Sequence, residues 1–160
     1  MAEPVGERAA DRARGGTAEA GDGSGAGRVL VAVYGVFTLA AGARATVQLA
    51  TRFEEAPVAY LLSALAAVVY LVATIGLARG GRVGRRTALV ACSVELAGVL
   101  VVGTLSLVDR ATFPDETVWS VYGQGYLFIP LVLPVLGLLW LRRRAGATTA
   151  AGPPAPGAAA

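Results

Sequence analysis

The chain has 160 residues, a formal charge of +3 and a clearly positive mean hydropathy, with its charges gathered in short clusters between long apolar runs. A soluble domain of this length interleaves its charges, whereas this block pattern suits a bilayer, where a charge left in hydrocarbon is costly. With no His and a single Cys, the sequence excludes His-ligated metals and haem, an intrachain disulfide and any Cys-x-x-Cys site, and no nucleophile–base pair stands out. Neither an enzyme nor a cofactor is expected.

Residues 1–28 are rich in Gly, Ala and charge and nearly devoid of large apolar side chains, which predicts a disordered tail. The first apolar span is 29–50, interrupted by Arg44 and Gln48. At the helical rise of about 1.5 Å per residue it crosses the roughly 30 Å hydrocarbon core. Phe37, Ala41, Arg44 and Gln48 share one helix face by their 3–4 spacing. Arg44 lies roughly 9 Å inside the outer end. It either snorkels outward toward Glu54, Glu55 or Asp109, or reaches inward to pair with Glu95 or to hold an anion. A signal peptide cut at Ala43-Arg44-Ala45 is the rival reading of this segment, and the apolar residues that continue to Ala50 argue against it.

The second span, 57–78, opens on Pro57, whose missing N–H costs nothing in a first turn. It carries a mildly polar stripe of Ser63, Ala67, Tyr70 and Thr74. An Arg-rich link, 79–86, leads to the third span, 87–108, which contains Glu95 roughly 12 Å from the basic end. An intramembrane carboxyl is expected to face the bundle. It reads either as a proton or cation site, or as a structural acid hydrogen-bonded to a neighbouring helix, with Tyr70 the expected partner. Ala91 and Gly98 flank it on the same face and permit close approach. Cys92 reads as a small hydrophobe.

The outer loop, 109–124, contains Asp115 and Glu116, and Trp119, Tyr122 and Tyr126 recur along and just beyond it at about one helical turn. These aromatics predict an interfacial belt, with a re-entrant or amphipathic segment capping an outer cavity as the alternative. The fourth span, 125–141, holds Pro130 and Pro134, each expected to kink it. Residues 142–160 predict a second disordered tail.

Short links force neighbouring spans to alternate in direction, so the fold class expected is an all-α four-helix transmembrane bundle, up-down-up-down. Every one of the 14 basic residues is Arg, and Lys and Asn are absent, a usage typical of a GC-rich genome. Positive charge therefore speaks for topology rather than for nucleic acid. Arg8, Arg12, Arg14 and Arg28, then Arg79, Arg82, Arg85 and Arg86, then Arg142, Arg143 and Arg144 fall on one side. Arg52 and Arg110 stand beside acids on the other. The excess places both ends in the cytoplasm and the chain in the cytoplasmic membrane.

Tyr34-Gly35-Val36-Phe37 with Ala40-Ala41-Gly42-Ala43-Arg44, the stretch from Tyr60-Leu61-Leu62-Ser63 to Ala64-Leu65-Ala66-Ala67, and Val118-Trp119-Ser120-Val121-Tyr122-Gly123 resemble the uncharacterised four-span integral membrane proteins of actinobacteria. The likeness covers about 29–141 and implies a fold but no activity. Small multidrug transporters share the size, yet their essential acid lies in the first span and Glu95 lies in the third. The function expected is a non-enzymatic envelope interaction or accessory protein, its partners being the lipid bilayer and a second copy or another membrane protein. The alternative is a small oligomeric proton-coupled transporter or channel using Glu95.

Overall fold

The computed structural model describes residues 5–109, 111 and 113–150, with side chains for 25–109, 111 and 113–146. Among the described residues there are helices and turns and no strand. Four long helices follow one another: α1 (Val5–Thr51), α2 (Pro57–Arg79), α3 (Gly81–Val108) and α4 (Ile129–Ala150). A single 3-10 turn, Phe53–Glu55, links α1 to α2, and a tight segment, Ser120–Tyr126, precedes α4.

The boundaries follow local chemistry. Pro57 occupies the first turn of α2, as its fixed φ and missing donor favour. The chain reverses between α2 and α3 at Gly80 and Gly81, both with positive φ (61° and 65°), a conformation that only glycine adopts without steric penalty. The Arg-rich link expected at 79–86 is therefore mostly helix. Arg82, Arg85 and Arg86 stand on the first two turns of α3, since the two glycines complete the reversal and Arg is a good helix former.

The expected tails also differ. From Val5 to residue 28 the chain continues α1, and from 142 to Ala150 it continues α4. Extending an existing helix adds one hydrogen bond per residue without a new nucleus, and the Ala and Arg of these stretches favour it while their glycines oppose it. The remaining tail positions, 1–4 and 151–160, lie outside the described residues.

Successive helices pack antiparallel. Thr38 meets Thr74 at 3.3 Å, Gly76 meets Ala88, and Cys92 lies beside Gly137. Gly76 lies late in α2 and Ala88 early in α3, and along α3 and α4 the numbers run in opposite directions, Arg85 reaching Leu141 while Cys92 lies beside Gly137. At Gly76 the backbones come so close that a Cβ would stand 2.7 Å from the Ala88 nitrogen, so this crossing requires glycine.

The core runs along the shared axis through Tyr34, Tyr70, Cys92, Val99, Trp119 and Leu133. The outward faces are apolar as well: Leu39 is 75 % exposed and Val90 63 %. Helices apolar on every side suit a lipid surround rather than water. Gly25–Thr51, α2 and α3 are each long and apolar enough to cross a membrane. The shortest, 23 residues, spans about 35 Å at helical rise.

The fourth crossing departs from expectation. The span expected to start at 125 is broken: Ser120–Tyr126 meets Ile129–Gly146 at a 99° bend, and only the two together pass as a span. Pro130 accordingly sits in the first turn of α4, where it costs no hydrogen bond, and Pro134 is the one proline inside the helix.

Candidate functional site

Glu95 projects from the middle of α3 into the centre of the bundle and is wholly buried. Three aromatic residues from three different elements enclose it. Tyr34 of α1 and Tyr70 of α2 are 0 % exposed, and Trp119, from the segment before α4, is 2 % exposed. The Tyr34 hydroxyl donates to Glu95 Oε2 at 2.7 Å and lies 3.4 Å from Cys92 Sγ. Trp119 Nε1–H donates to the Tyr70 hydroxyl at 3.1 Å. Glu95 Oε1 is buried without a hydrogen-bond partner, an unusual state for a polar atom in a dry interior.

The small residues around the acid serve the aromatics. A Cβ on Gly98 would stand 2.6 Å from the Trp119 ring, and one on Gly137 would stand 3.0 Å from Cys92 Sγ. Gly98 thus makes room for an indole from the connecting segment rather than for a helix backbone. Tyr34 and Tyr70 meet at a tilt of 55° with ring centroids 6.2 Å apart, and Phe37 meets Tyr70 edge-on at 5.8 Å. Edge-on contact of this kind is among the favoured aromatic geometries.

The expected Tyr70–Glu95 bond is replaced by one from Tyr34. The Tyr70 hydroxyl is engaged by Trp119 instead, because the segment before α4 reaches inward. That inward reach also overturns the interfacial belt for Trp119. Tyr122 and Tyr126 are half-buried and fixed to helices: the Tyr122 hydroxyl lies 3.0 Å from Thr104 Oγ1, and Tyr126 accepts from Arg44. The backbone takes a left-handed turn through Val121, Tyr122 and Gly123, with φ of 50°, 60° and 80°. This is costly for a β-branched residue such as Val121. Val121 N–H is held by Ser106 Oγ at 2.8 Å, and the Tyr122 ring fills the space left by Gly103.

Arg44 does not meet Glu95. Its guanidinium turns outward, donating to the Tyr126 hydroxyl at 2.9 Å and the Glu116 carbonyl at 3.1 Å. Snorkelling is thus the reading the geometry matches, with a tyrosine and a backbone oxygen in place of Glu54, Glu55 or Asp109. Gln48 donates to Asp115 Oδ2 at 3.4 Å, and the Tyr60 hydroxyl donates to the same oxygen at 2.9 Å. Ser63 bonds back to the Ala59 carbonyl at 2.9 Å and belongs to neither cluster.

The residue pattern pointed to Glu95 but not to Tyr34 or Asp115. Tyr34 carried a signal, since it lies three residues before Phe37 on the face shared with Ala41 and Arg44. Asp115 had none, because its partners depend on where an irregular loop lands. Among the described residues no group of three or more His, Cys, Asp or Glu could hold a metal. Compared with protein-family models, with curated proteins and with solved structures, the chain matches none.

Proposed function

We propose that this chain is a four-span integral protein of the cytoplasmic membrane, up-down-up-down with both ends cytoplasmic. We infer that it is a non-enzymatic envelope interaction or accessory protein in which Glu95 is a structural anchor. The topology is supported by the apolar outward faces and by the Arg excess at one end of the bundle. The anchor role rests on one observation: the carboxyl is wholly buried and bonded by Tyr34, among the equally buried rings of Tyr34, Tyr70 and Trp119. A permeation path brings water or an ion to its acid, whereas here tightly packed rings surround it. The resemblance to four-span actinobacterial proteins fits this reading and adds no activity.

A second reading has one observation in its favour. Glu95 Oε1 is buried without a hydrogen-bond partner among the described residues, which leaves one carboxyl oxygen free to carry a proton. In that reading the chain is a small oligomeric proton-coupled transporter or channel.

Proteoliposomes separate the two. With an internal pH dye and an imposed pH gradient, the anchor reading expects the same proton flux from wild type, Glu95→Gln and empty vesicles. A flux carried by wild type and abolished in Glu95→Gln overturns it.

A further inference from the structure

At the Arg-rich end of the bundle, far from Glu95 along α3, the last turns of α2, the first turns of α3 and the middle of α4 enclose an open cleft of about 520 Å³. That volume is in the range of small-molecule sites. The wall is divided: Leu77, Leu141 and Trp140 are apolar, while Arg82, Arg85 and Arg86 are cationic, and among the described residues no carboxylate lines it. Arg85 is half-buried and tethered, its Nε–H donating to the Leu141 carbonyl at 3.4 Å. This fixes the root of the guanidinium and leaves its two terminal amino groups without a hydrogen bond among the described residues. Arg82 and Arg86 are exposed and have no ion-pair partner among those residues. Arg144 closes one side with its guanidinium 4.4 Å from the centre of the Trp140 ring.

Three arginines within one turn and a half, gathered in a concave site, gain little by facing only one another. Like charges so placed favour an anion that joins them, and the planar fork of Arg matches the oxygens of a phosphate. The apolar part of the wall matches glycerol and the start of an acyl chain. Val83, next to Arg82 in sequence and 79 % exposed, lies outside the cleft and adds apolar surface at that level of α3. We propose that this cleft binds a phosphate group, and its place at the membrane boundary favours the headgroup of an anionic phospholipid as the source. The role of Glu95 does not enter. The membrane reading enters only in naming a lipid rather than a free phosphate.

The test uses the purified full chain in mild detergent and follows thermal unfolding against added ligand. Dioleoylphosphatidylglycerol in mixed micelles is expected to raise the melting temperature saturably, and dioleoylphosphatidylcholine is expected not to. In R82Q/R85Q/R86Q the apparent affinity is expected to fall by about tenfold or more, because each charged hydrogen bond lost weakens binding by roughly that factor. In R28Q/R142Q/R143Q, which removes the same charge from outside the cleft, affinity is expected to be unchanged. If the first triple variant does not fold, R86Q alone is expected to lose about tenfold. A response to inorganic phosphate but not to the anionic lipid, with the same dependence on Arg82, Arg85 and Arg86, assigns the site to free phosphate and supports it. Equal losses in both triple variants, an unchanged R86Q, or no response to either ligand overturns the proposal.

Discussion

Two polar clusters fasten the segment before α4 to the other helices, and they differ in what surrounds them. The inner one joins Trp119, Tyr70, Tyr34 and Glu95, all at most 2 % exposed. The outer one joins Arg44, Tyr126, the Glu116 carbonyl, Asp115, Tyr60 and Gln48; Tyr60 in it is wholly buried and Gln48 Oε1 is buried without a hydrogen-bond partner among the described residues, but Arg44 and Asp115 are only half-buried. Bond lengths are similar in the two, 2.7–3.1 Å against 2.9–3.4 Å. Their energetic weight is not. In a dry interior a polar group that loses its partner has no water to replace it, whereas a half-exposed group does. The inner cluster should therefore punish truncation, and the outer one should forgive it at its half-exposed members, Arg44 and Asp115.

Trp119→Ala is the harshest test of this contrast. It empties the space beside Gly98 and leaves the Tyr70 hydroxyl without its donor. The expected loss is about 3–5 kcal/mol, read by equilibrium unfolding in mild detergent. A loss no larger than that of an outer-cluster substitution would mean that the indole is an interfacial side chain after all.

Tyr34→Phe is next. It removes the one hydrogen bond that Glu95 accepts, so both carboxyl oxygens become unpartnered, at an expected cost of about 1–3 kcal/mol. Tyr34→Phe/Glu95→Leu removes both partners. Because replacing both members of a buried polar pair by apolar groups is often neutral or stabilising, the double variant should be more stable than Tyr34→Phe alone. Additive losses in the cycle would show that the two residues act independently.

Much of this architecture was legible because a bilayer imposes a crude rule. The apolar runs at 29–50 and 57–78 fall within α1 and α2, as length and Pro57 require. Burial of Glu95 was legible for the same reason, since an acid in an apolar run must turn inward. The choice of partner was not. Tyr34 and Tyr70 lie on equally plausible faces, and which one meets Glu95 depends on Trp119 capturing the other. Trp119 arrives there through a left-handed turn at Val121 and Tyr122, a conformation that their side chains do not advertise. The helical start of α3 was missed for a different reason: a cluster of Arg marks the cytoplasmic side equally well whether it is a loop or the first turns of a helix.

Arg44→Gln probes the forgiving side. The guanidinium bridges α1 to Tyr126 and to the Glu116 carbonyl, and its loss leaves a tyrosine hydroxyl and a backbone oxygen that nearby water can reach. The carboxamide is shorter but still polar, so the expected loss is about 0.5–1.5 kcal/mol, below that of Tyr34→Phe. Added salt should leave it nearly unchanged, since neither recorded partner of Arg44 is a charged group, whereas a surface ion pair would weaken with screening. A loss as large as that of Trp119→Ala, insensitive to salt, would place the outer cluster in a dry environment too. The contrast would then lie in which residues are involved and not in what surrounds them, and the outer end of α1 would have to be covered by a partner or a second copy of the chain.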